Sequence, residues 1–164
     1  MTQIPGTGSA EPVCIRKRFD ELTLAELYRL LRLRVSVFVV EQGCPYQEVD
    51  DRDQGAVHVF LQDGEEMIAY LRVMDRGVES PEVSIGRVIS TRRHQGLGSR
   101  ILREGIRTAV ECFHADRIYL EAQTQACPFY ERQGFQVVSG EFDLDGIPHV
   151  RMILDCLESV GARQ

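Results

Sequence analysis

The chain has 164 residues, 43% of them hydrophobic, enough for one domain with a substantial core. A formal net charge of −6 argues against a nucleic-acid surface, which needs a basic patch to displace counterions, and no apolar run approaches the ~20 residues a bilayer requires. Five widely spaced cysteines (Cys14, Cys44, Cys112, Cys127 and Cys156) lack a Cys-x-x-Cys pair or a nearby histidine in a pattern that would suggest zinc, so free thiols in a reducing cytoplasm are expected, and no metal.

Residues 1–12 read as a flexible N-terminal arm and 159–164 as a tail, flanking a single domain over 13–158 with no charged-then-apolar leader before it. A first strand is expected over 13–19. Thr23-x-x-Glu26 is a capping box that opens a helix, with Leu24, Leu27, Leu31 and Val35 as its apolar face. From Gln42 to Gly55 the chain is irregular and acidic, carrying Glu48, Asp50, Asp51 and Asp53. Apolar runs over 57–61 and 67–74 then flank an Asp63-Gly64 hairpin turn.

A strand over 82–90 leads through Arg93, Gly96 and Gly98 into a helix whose apolar positions are Ile101, Leu102, Gly105, Ile106, Ala109, Val110 and Phe113. Gly105 lies on that stripe, where close packing on a sheet accounts for a residue that costs ~1 kcal/mol relative to alanine. Strand 117–122 is followed by a short helix over 126–134, with Pro128 in its first turn and Gly134 at its end. Strands over 135–142 and 148–154 complete the chain. The fold class expected is α/β: one mixed, mostly antiparallel sheet flanked by helices on both faces.

The glycine turn carries the chemistry. The first N–H groups of a helix lack partners within it and point outward with the positive end of the dipole, so a phosphate there receives several hydrogen bonds. Neither familiar phosphate loop fits: no Gly-Lys-Ser/Thr follows, and the third glycine of the dinucleotide fingerprint falls on Ile101.

The pattern Arg93-x-x-Gly96-x-Gly98 after a strand resembles the acetyl-coenzyme A signature of the GNAT superfamily of N-acetyltransferases. Phe129-Tyr130-x-x-x-Gly134-Phe135 is similar to a second string of that superfamily, at the expected separation. Leu33-Arg34-x-x-Val37-Phe38-Val39-Val40-Glu41-Gln42, Cys44-Pro45-Tyr46-Gln47-Glu48-x-Asp50 and Asp145-Gly146-Ile147-Pro148-His149 resemble its ElaA-like subgroup. Together these strings run from about Leu22 to Met152. The resemblance implies a GNAT-type single domain and acetyl-coenzyme A as co-substrate. It places the pyrophosphate against Arg93, His94, Gln95, Gly96, Leu97, Gly98 and Ser99, and the thioester beside Arg87, Val88 and Ile89, with a backbone N–H of Val88 or Ile89 facing the oxyanion. Gln123, Cys127, Phe129 and Tyr130 border the rest of the cofactor, with Tyr130 facing its sulfur and Phe129 read by preference as a core aromatic.

The implied reaction is direct acetyl transfer to the amine of a small molecule or peptide. A thiol has a pKa of about 8.5 and tyrosine of about 10, so Tyr130 can supply the thiolate's proton at neutral pH. Several residues offer themselves as the base. Glu41, Glu48, Asp50, His58 and His149 each qualify by type, and Glu41, His58 and His149 are preferred, Glu41 for its place after an apolar run and the histidines because they lie on strands and their type titrates near neutrality. Arg72 and Arg87, on neighbouring strands, are candidates to hold an acceptor carboxylate or to form ion pairs. The alternative function is a non-catalytic acyl-coenzyme A sensor acting through a protein partner. A homodimer through a sheet edge is possible in either case.

Overall fold

The computed structural model describes residues 11–157. Nearly all of the expected arm and the whole of the expected tail lie outside the described residues. Eight strands form one sheet: β1 (Val13–Arg18), β2 (Val57–Asp63), β3 (Glu66–Met74), β4 (Val83–Ser90), β5 (Arg117–Gln123), β6 (Gln136–Val137), β7 (Phe142–Leu144) and β8 (Ile147–Asp155). Their order is β1-β2-β3-β4-β5-β8-β6, with β7 also on β8. Every pair is antiparallel except β4 with β5. The expected strand 135–142 is two strands, because the chain leaves the ladder around Ser139 and Gly140 before pairing again.

Among the described residues, three α-helices flank the sheet: α1 (Leu24–Arg34), α2 (Leu97–Phe113) and α3 (Cys127–Glu131). The helix α2 packs on β2, β3 and β4, burying Leu97, Ile101, Leu102 and Ala109 against Val59, Leu71, Val73 and Ile85. Gly105 is where it comes closest: an added Cβ would lie 2.6 Å from a Leu71 methyl. On the opposite face, Leu30 of α1 joins Phe60, Met67, Tyr70 and Ile89 in a second cluster.

The Thr23 capping box forms as read, with the Thr23 hydroxyl accepting from the Glu26 N–H at 3.1 Å. The expected apolar face of α1 needs correction. Leu24 is 87% exposed, while Leu30 and Arg34 are fully buried. The core-facing stripe runs Leu27, Leu30, Leu31 and Arg34, with Leu27 and Leu31 half-buried, and a guanidinium on it displaced the pattern. Beyond Arg34 the helix continues as a wide-turned segment over Val35–Glu41, where Gln42 N–H donates to the Val37 carbonyl five residues back.

Candidate active site

The cleft opens where β4 and β5 part. These parallel strands are paired only at Val83 with Ile118 and Ser84 with Tyr119. Past that point the edge of β4 from Ile85 to Ser90 faces a cavity of about 670 Å³. A bulge sharpens the divergence: Tyr70 pairs with Ile89 and Arg72 with Gly86, so Arg87 and Val88 together stand opposite Leu71. Arg87 takes φ +57°, a left-handed conformation uncommon for a residue with a side chain.

At the far end of β4 lies the glycine turn. Gly96 sits at φ +72° as the residue before the helix, and Arg100 N–H is the first to bond back, to the Gly96 carbonyl at 3.1 Å. The N–H groups of Leu97, Gly98 and Ser99 therefore precede the hydrogen-bonded ladder of α2 and head its dipole. An added Cβ at Gly96 would meet open space, whereas one at Gly98 would lie 3.4 Å from the Phe129 ring. These residues fit a pyrophosphate cradle. Arg93 lines the cleft, and His94 and Gln95 are exposed on the turn. The Leu97 side chain points into the core, so only its backbone faces the cradle.

Tyr130 of α3 also lines the cleft, its ring 5.0 Å from Phe129 and 6.0 Å from Phe135, both edge-on. Burial pushes its phenol up to about 12, so it carries its proton throughout the neutral range. This differs from the untuned phenol expected from sequence. Cys127 and Phe129 belong to the core under α2, not to the cleft wall. Gln123 does line the cleft and donates to the Gln42 side chain across it at 3.3 Å.

The three preferred bases separate. His149 lines the cleft, and its Nδ1 lies 2.7 Å from the Ile147 carbonyl oxygen. A carbonyl only accepts, so Nδ1 carries the proton and neutral His149 keeps its lone pair on Nε2. Glu41 lines the same cleft, exposed at its rim. His58 does not reach it. Its side chain is fully buried, its Nε2 donates to the Asp53 carbonyl at 2.9 Å, and its Nδ1 accepts from the Tyr70 hydroxyl at 2.7 Å. Both nitrogens are committed, and burial lowers its pKa further, so His58 is a structural group.

The acidic loop also differs from its sequence reading. Glu48 and Asp53 are buried, and with Asp50 they match three arginines. Arg34 donates through Nε to Glu48 at 2.9 Å and through Nη1 to Asp53 at 2.6 Å. Arg72 bridges Asp50 at 2.8 Å and Asp53 at 2.9 Å. Arg87 donates through Nε to the same Glu48 oxygen at 2.6 Å, with its guanidinium over the Phe38 and Tyr46 rings. Burial alone would raise Asp50, but its bonds to Arg72 prevail and hold it down at about 2. Arg72 and Arg87 are thus ion-paired wall residues and not free carboxylate binders. Sequence offered a signal in Arg34, a charge on an otherwise apolar helix face. The five cysteines are all free thiols, and no cluster of metal-ligating side chains occurs among the described residues. No helix among them is long and apolar enough to cross a membrane.

A parallel strand pair forced apart beside a glycine-capped helix, with a tyrosine helix on its far bank, defines a coenzyme A-dependent acyltransferase architecture. The family model for the acetyltransferase (GNAT) domain matches residues 30–156, and the chain belongs to this family as an acyltransferase. It is similar to the protein ElaA of Escherichia coli, 34% identical over 144 residues that cover 85% of this chain and 94% of that one. The crystal structure of E. coli ElaA matches with a TM-score of 0.83 at 32% identity, over 88% of this chain and 99% of the other. An acyl-CoA N-acyltransferase from Pseudomonas aeruginosa matches at 0.81 and 38% identity, over 87% and 99%.

Proposed function

We propose that this protein is an acetyl-coenzyme A-dependent N-acetyltransferase that moves an acetyl group directly to the amine of a small molecule or peptide. The observation that carries this reading is the cleft itself: the opened β4 edge, the α2 N-terminus at one end, and Tyr130 and His149 on its walls. Acetyl-coenzyme A would supply the acetyl group as an activated thioester.

The chain's own residues divide the work. The N–H groups of Leu97, Gly98 and Ser99 receive the pyrophosphate, with Arg93 beside them adding positive charge. The backbone of Val88 or Ile89 on the parted edge donates to the carbonyl oxygen as negative charge develops there. His149 Nε2 takes a proton from the acceptor ammonium, which at neutral pH is almost wholly charged. As nitrogen bonds to the acetyl carbon and the carbon–sulfur bond breaks, Tyr130 donates its phenolic hydrogen to the departing sulfur, and the second proton that the new amide nitrogen sheds restores the phenol. Glu41, at the rim, serves an incoming ammonium by charge alone.

A non-catalytic sensor would need no imidazole pinned in the cleft, and His149 is held there through Nδ1 by the Ile147 carbonyl. The test is calorimetric binding of acetyl-coenzyme A, followed by thiol release over a panel of amines. The Gly98→Glu protein places bulk against Phe129 and negative charge in the cradle, so it should lose cofactor binding. Equal affinity in variant and wild type would displace the cradle from this turn.

A further inference from the structure

The two walls of the cleft differ in charge. On the wall built from β3 and β4, the cleft-lining Arg72 and Arg87 are matched, together with Arg34 of α1 behind them, by Glu48, Asp50 and Asp53 of the loop before β2, and this group sums to neutral. On the β5 wall, Glu121 lines the cleft and, among the described residues, accepts only the neutral Tyr119 hydroxyl, at 2.9 Å. Register places Arg151 of β8 directly across from Glu121. That guanidinium instead lies over the Phe142 ring, 5.2 Å from its centroid, and forms no ion pair with Glu121 among the described residues. A carboxylate facing a cleft with its neighbouring cation turned away is arranged to receive a cation from outside the chain.

Position adds a distance. Glu121 pairs with Arg151 and Gln123 with His149, so Glu121 and His149 are diagonal neighbours on the same face of the sheet. The backbones of such neighbours lie about 7–8 Å apart, close enough for both side chains to meet one short aliphatic acceptor. Resting on the acetyltransferase reading above, we propose that Glu121, oriented by Tyr119, holds the distal ammonium of an aliphatic diamine whose other amine reacts beside His149. The distal amine keeps its protons and the near amine receives the acetyl group. Monoamines forgo this contact, and amino acids bring a carboxylate to a wall whose arginines are already matched.

Calorimetry on the desulfo-coenzyme A complex tests this without turnover, using diaminobutane and butylamine as probes. Wild type should bind the diamine at least about tenfold more tightly than the monoamine, and Glu121→Gln should bring the two affinities together. Tyr119→Phe, which keeps the carboxylate but frees its orientation, should reduce the preference in part. Desulfo-coenzyme A binding to each variant at wild-type affinity serves as the check on folding. If wild type binds the cofactor analogue but shows no preference, or if Glu121→Gln retains it, the diamine proposal fails while the acetyltransferase reading stands. If wild type does not bind the analogue, both fail.

Discussion

His149 and Ile147 fix a tautomer between them: the imidazole Nδ1 donates to the Ile147 carbonyl oxygen at 2.7 Å, two residues back along the same strand. The hydrogen bond leaves Nε2 as the basic atom and holds the ring on the cleft wall, where Phe142 lies 6.2 Å from it.

Replacing His149 with alanine should lower kcat/KM for acetyl transfer by about 10²-fold or more, the usual contribution of a positioned base. Cofactor affinity should be retained, since the cradle lies on α2. Steady-state thiol release with calorimetry on the same sample checks both. A loss below about threefold would move the base to Glu41 or to water.

Tyr130→Phe should reduce thiol release by a similar factor, and the pH dependence of that factor is distinctive. Burial raises the phenol to about 12, so wild type holds its proton at every pH below about 10. The ratio of wild type to variant should be constant from neutrality to about pH 10 and shrink only as pH climbs toward 12. A ratio that changes around neutrality would assign the proton to another group.

Asp53→Asn removes a carboxylate whose Oδ1 accepts from both Arg34 and Arg72, leaving buried cations short of a partner. The expected loss is about 3–5 kcal/mol, measured by denaturant unfolding. The acid response follows from the same groups. Burial favours their neutral forms, but the arginines outweigh it and hold Asp50 and Asp53 below their unfolded values. Their contribution is therefore present above about pH 4 and lost as pH falls toward 2. His58, lowered by burial, contributes above about pH 6.5 and loses that contribution as pH falls below it. Thermal melts should decline in two stages on acidification, and Asp53→Asn should flatten the second.

Gly105→Ala sets two effects against each other. Alanine gains ~1 kcal/mol in helix propensity, but its Cβ would stand 2.6 and 2.9 Å from the two methyl groups of fully buried Leu71. Overpacking of this kind costs about 1–3 kcal/mol, so the variant should melt below wild type. A higher melting temperature would show that Leu71 can yield.

Both family motifs were legible because their geometry is local: a strand end, a turn and a helix start within a dozen residues. Gly105 was legible for a related reason, since an awkward residue on an apolar stripe already implies close approach. The arginine network was not, because its partners lie 14 to 39 residues apart and neutralise one another only once the chain has folded. Taken singly, Glu48 and Asp53 look like ordinary loop acids. His58 and His149 show the limit most directly. Both sit on strands, and period-two alternation distinguishes the faces of a sheet without saying which face is hollow. The parting of β4 from β5 decides that, and it depends on a bulge at Arg87 that no residue pattern announced.

The closed charge balance of the arginine wall has a consequence for how this enzyme could be retargeted. Substitutions at Tyr119, Glu121 or Ile147 alter what the cleft meets on its β5–β8 side without stranding a buried ion, so that bank is free to vary while the opposite one acts as a fixed frame. On the diamine proposal, acceptor choice falls to residues other than those that hold the fold together, and a library confined to the variable bank should yield folded proteins with altered appetites.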